Sequence, residues 1–475
     1  MNDIDQRTRN RILLILFIGV LMGALDIAIV GPALPAIQTS FQVSERAMAW
    51  IFSIYVLFNL VSTPLMSKLS DAFGRRSIYV LDVSLFALGS LVVALSPTFA
   101  VLLIGRAIQG LGAGGIFPVA SAVIGDTFPP EKRGSALGLI GAVFGIAFFI
   151  GPILAGVILL LLSWHWLFLV NLPIAAVVIA MSLRQIPQVR PEHPQPFDWS
   201  GMIALGILLA SLAYGINRLD TTHFLDSLTS LEVWPFLLLT VLLTPLFIRF
   251  ERAADDPVMR LTLFRSRQVV LVSVLATGTG LGEASIVFVP ALLVAAFGVT
   301  NSVASFMLMP IVLAMAVGSP LLGRTLDRYG SKVVVLTSTT LLTLGMGLTG
   351  ISATSQVIFY LAAVLIGLGL SGLLGATLRY IMLNEAPATD RAVAQGMLTI
   401  FISIGQLMGG VLVGAIAASR GGGVPGYQAA YLAIGVITLV LTLLSFGLKG
   451  RAEELATVRR NEAAAKATQE QAAHT

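Results

Sequence analysis

The chain has no cysteine and very little charge. Asp, Glu, Lys and Arg make up only 11% of its 475 residues, whereas hydrophobic residues make up 56%. The absence of cysteine excludes disulfides, thiolate metal sites and cysteine nucleophiles. Soluble domains carry about 25% charged residues. This composition therefore excludes a water-soluble protein and predicts a polytopic membrane protein.

Signals for several other chemistries are also absent from the sequence. It contains no Gly-rich loop that ends in Gly-Lys-Ser/Thr, which argues against direct coupling to ATP hydrolysis. The four histidines are scattered over loops and chain ends, so no metal cluster is predicted. No adjacent Ser/His/Asp arrangement lies on an apolar run. We therefore expect no catalytic residues, no enzyme activity, no metal and no organic cofactor.

Long apolar runs dominate the rest of the chain. A membrane-spanning helix needs roughly 20 mainly apolar residues. On that basis the sequence predicts fourteen spans, near residues 11–34, 48–66, 77–96, 98–124, 135–160, 164–184, 199–217, 232–250, 268–297, 303–322, 333–352, 356–379, 393–418 and 427–447. The predicted fold class is an all-α polytopic membrane protein. An even number of spans places both termini on one face.

The positions of Lys and Arg predict which face that is. If both termini are cytoplasmic, Arg46, Arg218 and Arg420 lie outside and Arg106 lies within a span, while every other Lys and Arg faces the cytoplasm. This asymmetry is the positive-inside pattern. It explains the net charge of +5 without a nucleic-acid partner. We expect the protein to be embedded in the lipid bilayer.

A charged turn occurs twice, each time between two apolar runs. Residues 67–76 read Ser-Lys-Leu-Ser-Asp-Ala-Phe-Gly-Arg-Arg, and residues 323–332 read Gly-Arg-Thr-Leu-Asp-Arg-Tyr-Gly-Ser-Lys. Helix ends expose unpaired backbone groups, so fixed charges there can latch neighbouring helices together. The repeat predicts a duplicated bundle, divided into an N-terminus (1–10), a first six-helix half (11–185), a linker with two extra spans (186–266), a second six-helix half (267–448) and a tail (449–475).

Both turns resemble the hallmark turn of the major facilitator superfamily, Gly-x-Leu-x-Asp-Arg-x-Gly-Arg-Lys. Fourteen spans make the chain similar to the fourteen-helix branch of the drug:proton antiporters. In the first turn Ser67 and Ala72 stand where the family has Gly and Arg, so we expect the first latch to be weaker than the second. The resemblance implies a cytoplasmic gating motif that comprises Asp71, Gly74, Arg75, Arg76, Asp327, Arg328, Gly330 and Lys332.

Charged residues inside the predicted spans are the main site candidates. Asp26 and Arg106 each lie about nine residues, or ~13 Å, from an outer proline, so an ion pair is geometrically feasible. Their surroundings, including Gln109, resemble first- and fourth-helix motifs of the same antiporters.

Glu283 lies near mid-bilayer in the first helix of the second half, the counterpart of Asp26. A carboxylate near a cation can be switched by protonation. The predicted proton-coupling residues are Asp26, Arg106 and Glu283, and the predicted substrate-cavity residues are Asp26, Gln109 and Glu283.

Two further runs resemble antiporter motifs. In the fifth predicted span, small residues at helical spacing and a proline favour close helix packing and a bend; the residues concerned are Gly145, Gly151, Pro152 and Gly156. At the start of the sixth span, a run with two tryptophans, which also suit the membrane interface, includes Trp164, Trp166, Asn171 and Pro173. Asp82 is expected to be a structural residue near the cytoplasm.

Together the residues and the resemblance imply a proton-coupled secondary transporter with small-molecule substrates. It is expected to export amphipathic drugs or toxic compounds by alternating access, as a monomer, from a bacterial inner membrane, with protons as the coupling ion. The two extra helices are expected at the periphery. Two alternatives fit the same motifs: a proton-coupled transporter of a single endogenous metabolite, lipid or siderophore, and a non-cycling transporter-like receptor.

Overall fold

The computed structural model describes residues 5–188, 199–254, 257, 259–352, 354–386, 391–457 and 459–460. Within these ranges the ordered backbone is helical and contains no β-strand. The helices of the first half are α1 (Gln6–Phe41), α2 (Glu45–Phe73), α3 (Arg75–Ala94), α4 (Phe99–Thr127), α5 (Pro130–Leu161), α6 (His165–Leu169) and α7 (Asn171–Gln185).

The linker and the second half continue the helical pattern. The linker helices are α8 (Trp199–Arg218), α9 (Phe224–Leu228) and α10 (Trp234–Ala253). The second half comprises α11 (Arg267–Ile286), α12 (Val289–Phe297), α13 (Asn301–Phe306), α14 (Met309–Tyr329), α15 (Ser331–Ile351), α16 (Gln356–Gly372), α17 (Leu378–Glu385), α18 (Arg391–Ser419) and α19 (Gly423–Ser445). A π-helical turn, Leu373–Thr377, joins α16 to α17.

Thirteen of the fourteen predicted spans and the predicted fold class are confirmed by these helices. In the described ranges, 13 continuous or kinked helices are long and apolar enough to cross a membrane, and each coincides with a predicted span. The remaining predicted span, 135–160, falls within α5, which contributes the shorter apolar helix Gly145–Leu161. The protein is an all-α polytopic membrane protein.

Local sequence determines where several helices begin and end. Ser44 accepts a hydrogen bond from the Ala47 amide (3.3 Å), and Thr98 accepts one from the Val101 amide (3.4 Å), so each hydroxyl caps a helix start. At the two charged turns, Gly74 and Gly330 have φ of 94° and 87°. Side chains are disfavoured in that region, so glycine allows one helix to stop and the next to start immediately.

The two halves repeat one packing pattern. In the first half α4 packs on α2 and α3, while α5 packs on α1. In the second half α16 packs on α14 and α15 in the same way, while α18 packs on α11. Small residues permit the close contacts, because a Cβ at Gly405 would lie 1.8 Å from the Thr277 carbonyl oxygen.

The linker helix α8 lies on the seam between the halves. It packs against α2 and α18, and α10 packs on its outer side. The Trp50 indole donates to Asn217 Oδ1 (3.0 Å), and the Thr221 amide donates to Ser419 Oγ (3.1 Å). The expectation that both extra helices are peripheral therefore holds for α10, while α8 bridges the two halves.

Two faces of the bundle can be distinguished by their turns. The motif face carries the charged turns at Gly74 and Gly330, and the opposite face carries the turns that precede α2, α6, α13 and α19. The halves meet at the opposite face, where Ser302 Oγ donates to the Gly156 carbonyl (2.6 Å). There the Gly423 amide also donates to Glu45 Oε1 (3.4 Å). The conformation is therefore closed at the opposite face.

Candidate functional site

A fully buried ion pair lies inside the first half. Arg106 Nη1 on α4 lies 2.6 Å from Asp26 Oδ2 on α1, and both side chains have no solvent exposure. The sequence places these residues at equal depth, and the packing of α1 against α4 brings them into contact. Because ion burial costs several kcal/mol per charge before pairing, the pair holds these helices together only while both partners are charged.

Amide and hydroxyl side chains complete a network around the ion pair. Gln109 accepts from Arg106 Nη1 (2.8 Å) and donates to Asp26 Oδ1 (3.1 Å) and Ser90 Oγ (2.8 Å). Asn171 Nδ2 donates to Ser90 Oγ (3.2 Å) and, at 3.4 Å, to Asp26 Oδ1. The network connects α1, α3, α4 and α7. We refer to these five residues as the Asp26 network.

Arg106 also contacts α2. Its Nε donates to the Ile51 carbonyl (2.9 Å), and its guanidinium lies 4.3 Å from the centre of the Tyr55 ring. Arg106 Nη2 is buried and has no hydrogen-bond partner in the described part of the chain. Asp26 is the acidic group paired with this arginine, so a change in the charge of Asp26 leaves the guanidinium uncompensated.

A separate cavity lies between the two halves. It is small in this conformation, with a volume of about 40 Å³, and its wall is mainly apolar, with contributions from Ile27, Phe52, Phe148, Pro152, Ile286 and Val312. Its polar side chains are Glu283 on α11 and Gln406 on α18. Gln406 Nε2 donates to Glu283 Oε2 (2.9 Å). Glu283 is thus a carboxyl group placed at an apolar cavity.

The structure separates the three predicted cavity residues. Glu283 lines the cavity, whereas Asp26 and Gln109 are fully buried and do not belong to its wall. Asp26 and Gln109 therefore do not line this cavity in this conformation, and their contact with substrate stays a prediction. The reason for the separation is the rotation of α1, which turns Asp26 toward α4 and presents Ile27 and Ala28 to the cavity.

Helix α1 is consequently a wall shared by the ion pair and the cavity. Its other side touches the second half, since a Cβ at Gly31 would lie 2.8 Å from the Val287 carbonyl oxygen. Val287 lies at the break between α11 and α12, four residues beyond Glu283. A displacement of α1 would therefore change both the shape of the cavity and the contact of α1 with the second half.

The first charged turn carries a dense polar cluster. Arg75 forms ion pairs with Asp71 and, at 3.0 Å, with Asp126 Oδ2 at the end of α4. It also donates to Ser70 Oγ (2.7 Å). Arg76 Nη1 donates to the Leu183 carbonyl of α7 (3.4 Å). This turn therefore ties together the motif-face ends of α2, α3, α4 and α7.

The second charged turn is connected differently. Lys332 Nζ donates to the Phe446 carbonyl after α19 (2.7 Å), and Arg328 lies 5.2 Å from the centre of its neighbour's ring, that of Tyr329. Asp327 forms no ion pair in the described part of the chain, although it lines a small surface cavity with Arg451. The Ser331 amide at this turn also donates to Glu454 Oε2 in the tail (3.3 Å). Ion pairs therefore hold the first turn, where Arg75 reaches two carboxylates, whereas hydrogen bonds hold the second. The weaker first latch stays a prediction.

The helix-five and helix-six runs hold the core around these sites. A Cβ at Gly151 would lie 2.4 Å from Ala28 Cβ, and one at Gly156 would lie 2.7 Å from the Phe306 ring. Gly151 thus brings α5 onto α1, and Gly156 brings it onto the second half. Pro152 lines the cavity, whereas no atom lies within 4 Å of a Cβ built at Gly145.

At the helix-six run, Trp164 stacks on His165 with ring centres 3.8 Å apart and donates to Ser40 Oγ (3.0 Å). Trp166 is exposed, as expected for the membrane interface. Pro173 lies in the first turn of α7, and Asn171 belongs to the Asp26 network. Sequence reasoning did not connect Asn171 with Asp26.

Several site residues were not anticipated from the sequence. Ser90, Tyr55 and Gln406 contribute to the two sites, and Glu45 contacts the second half. Gln406 could have been found as an amide within the apolar run of α18. Ser90 and Tyr55 carry no such signal, because single hydroxyl groups occur in nearly every helix of this chain.

The family profile and the similar proteins that match this sequence all point to one family of transporters. The profile of the family described as Major Facilitator Superfamily matches residues 16–282 and 269–472. The uncharacterized MFS-type transporter YfiU of Bacillus subtilis (strain 168) is 34% identical over 84% of this chain and 78% of the relative. The multidrug resistance protein Stp of Mycobacterium tuberculosis (strain CDC 1551 / Oshkosh) is 30% identical over 87% of this chain and 76% of that protein.

A solved structure shares the same fold. The crystal structure of the nucleoside transporter NupG superposes with a TM-score of 0.65 at 13% identity, covering 94% of this chain and 99% of that chain. The likeness extends over both halves and the seam between them. At this level of identity it establishes the fold alone.

Proposed function

Because the chain belongs to the Major Facilitator Superfamily, we propose that it is a proton-coupled antiporter that exports amphipathic compounds, with a preference for cations, by alternating access. The observation that carries this proposal is the apolar cavity between the halves with Glu283 in its wall. Relatives at about 30% identity include multidrug resistance proteins, which supports efflux. We further propose that it belongs to the fourteen-helix drug:proton branch and functions as a monomer in a bacterial inner membrane, with cytoplasmic termini and no organic cofactor.

The cavity chemistry suggests the substrate class. Apolar walls bind the hydrophobic part of an amphipath, and a carboxylate that is desolvated in such a site attracts a cationic group strongly. Gln406 orients the Glu283 carboxyl from the neighbouring helix α18. A dedicated carrier of a polar metabolite would need more converging polar groups than these two provide.

The Asp26 network suggests how protons enter the cycle. Protonation of Asp26 removes the negative partner of Arg106, and a buried unpaired guanidinium is costly. The surrounding helices then favour another arrangement. Since α1 also lines the cavity and contacts the second half, a change at Asp26 can alter substrate affinity and the contact between the halves.

The charge preference can be tested by replacing Glu283 with glutamine. Transport of a permanently cationic amphipath should fall about tenfold or more, because charge-assisted contacts contribute about 1.5–3 kcal/mol, while transport of a neutral amphipath of similar size should stay close to wild type. Uptake of both compounds into inverted vesicles would be measured at the same imposed pH gradient. Glu283→Asp, which keeps the charge, should recover part of the cation transport.

The matched control is Glu232→Gln, which removes an exposed carboxylate outside the cavity. It should transport both compounds like wild type. An equal loss of cationic and neutral transport in Glu283→Gln would contradict charge recognition by this residue. An unchanged cation rate would show that Glu283 does not contact the substrate.

Glu45 is proposed to help hold the opposite face closed. Its carboxylate at the start of α2 accepts from the Gly423 amide at the start of α19, so the positive ends of two helices share one negative charge. Such an interaction contributes about 0.3–1 kcal/mol, so Glu45→Gln should raise the fraction open at the opposite face about two- to fivefold.

The absence of native cysteine makes this population measurable. A single Ile27→Cys substitution in the cavity wall reports opening through its rate of reaction with a membrane-impermeant maleimide added at the opposite face. Glu232→Gln on the same background controls for general loss of charge on that face. If the Ile27→Cys protein is labelled at the same rate with and without Glu45→Gln, Glu45 does not help to hold the opposite face closed.

A further inference from the structure

A second buried carboxyl group lies in the first half, outside the Asp26 network. Asp82 on α3 has no solvent exposure, and neither of its carboxyl oxygens has a hydrogen-bond partner in the described part of the chain. The helix packing leaves room for this carboxyl, because a Cβ at Gly115 on α4 would lie 2.1 Å from Asp82 Oδ2. Any larger residue at position 115 would fill the space that Asp82 uses.

The charged side chains on the neighbouring helices α4, α7 and α1 pair with other residues or lie away from Asp82. On α4, Arg106 pairs with Asp26, and Asp126 pairs with Arg75. Arg184 on α7 is exposed, and the basic residues of α1 lie in its first two turns. An unpaired carboxylate in such surroundings is prohibitively costly, so Asp82 is a neutral carboxylic acid in this conformation.

Tyr79 lies one turn from Asp82 on α3, and its hydroxyl packs against Gly19 on α1, where a Cβ would lie 2.1 Å from it. Its hydroxyl is also buried without a hydrogen-bond partner in the described ranges. The polar atoms of these two side chains therefore form no stabilising hydrogen bond in the described ranges.

The position of Asp82 along α3 suggests a role. Asp82 lies about 10 Å along the helix axis from Arg75 at the motif face, and Ser90 lies about 12 Å further on the same side. Ser90 accepts hydrogen bonds from Gln109 and Asn171 in the Asp26 network. Asp82 therefore stands between that network and the motif face, with the buried Phe86 filling the intervening turn.

We propose that Asp82 is a second proton-binding site, which carries the proton between the Asp26 network and the motif face. This inference rests on the proposed proton coupling. The proton leaves the Asp26 carboxyl, which becomes a carboxylate paired with Arg106, and binds the Asp82 carboxylate, which becomes neutral. Water admitted past Phe86 during the change of conformation carries it across the gap.

The relay assigns complementary states to the two sites in this conformation: a carboxylate at Asp26, which pairs with Arg106, and a neutral acid at Asp82, which has no partner in the described ranges. With the opposite face closed, this is the state expected after the proton has left Asp26 and before it leaves through the motif face.

The test compares wild type, Asp82→Asn and the exposed loop variant Asp226→Asn in proteoliposomes. One assay measures substrate accumulation driven by a pH gradient, and the other measures substrate counterflow without a gradient. We expect Asp82→Asn to lose gradient-driven accumulation and to keep counterflow, while Asp226→Asn keeps both. Difference infrared spectra should show a protonated carboxyl band in wild type that is absent from Asp82→Asn.

The outcomes separate this proposal from the proposed function. If substrate accumulation by wild type does not depend on the pH gradient, the proposed proton coupling is wrong, and so is the relay. If wild type is proton-driven and Asp82→Asn accumulates substrate equally well, only the relay is overturned. If Asp82→Asn loses counterflow as well, Asp82→Glu decides, because it keeps a carboxyl group at this position: accumulation restored in Asp82→Glu supports the relay, and a folded Asp82→Glu protein without accumulation overturns it.

Discussion

Replacing Asp26 with asparagine is expected to abolish substrate accumulation driven by a pH gradient while leaving gradient-free counterflow in place. Asparagine is nearly isosteric with aspartate but cannot bind and release a proton. Its amide oxygen can still accept from Arg106, while its amide nitrogen meets the Gln109 and Asn171 amide donors, which must rearrange. The transport cycle should therefore continue to exchange substrate but lose its driving force, in the same proteoliposome assays that compare accumulation with counterflow.

The dependence on the pH gradient gives the same prediction a second readout. In wild type, the rate of substrate accumulation should rise with the size of the imposed pH gradient, whereas in Asp26→Asn the remaining exchange should not depend on it. Asp226→Asn is the matched control, since it removes an exposed carboxylate outside the Asp26 network and should keep gradient-driven accumulation. Full gradient-driven accumulation by Asp26→Asn would exclude Asp26 as the proton carrier.

Replacing Arg106 with methionine is expected to cause the largest loss of stability of any single substitution in the first half. Methionine fills part of the space but leaves the Asp26 charge buried and unpaired, and removing one partner of a buried pair costs about 3–5 kcal/mol. It also leaves the Ile51 carbonyl and Gln109 without their donor. The thermal unfolding midpoint in detergent should drop sharply.

A double-mutant cycle identifies the cause of that loss. Asp26→Asn combined with Arg106→Met removes both charges and should unfold at a higher temperature than Arg106→Met alone. Arg106→Lys should be intermediate, because lysine keeps the charge but cannot span the Ile51 carbonyl, Gln109 and Asp26 as the planar guanidinium does. If the double variant is no more stable than Arg106→Met, the ion pair is not what makes Arg106 necessary.

The two halves share one packing pattern but differ in electrostatics. The first half encloses its acid with an arginine, away from the cavity. The second half presents its acid to the cavity beside an amide. This division allows proton binding and substrate binding to occur at separate places, and α1, which touches the network, the cavity and the second half, is the element that connects them.

The sequence alone determined the features that depend on position along the chain. The lengths of the apolar runs predicted the spans, because the thickness of the bilayer sets the length of a membrane-spanning helix. The repeat at residues 67–76 and 323–332 revealed the duplication, and a rise of 1.5 Å per residue placed Asp26 and Arg106 at one depth. Asp26 and Glu283 could be recognised because charges are rare inside spans.

Only the tertiary structure decided how each helix is rotated and what it touches. Asp26 and Glu283 occupy equivalent helices, yet one is sealed inside its half and the other lines the cavity. The inclusion of Asn171 in the network, the two carboxylates of Arg75 and the place of α8 on the seam likewise depend on side-chain packing between distant segments. Helical periodicity defines depth and face, but nearly uniform apolarity around these helices leaves open which neighbour each face meets.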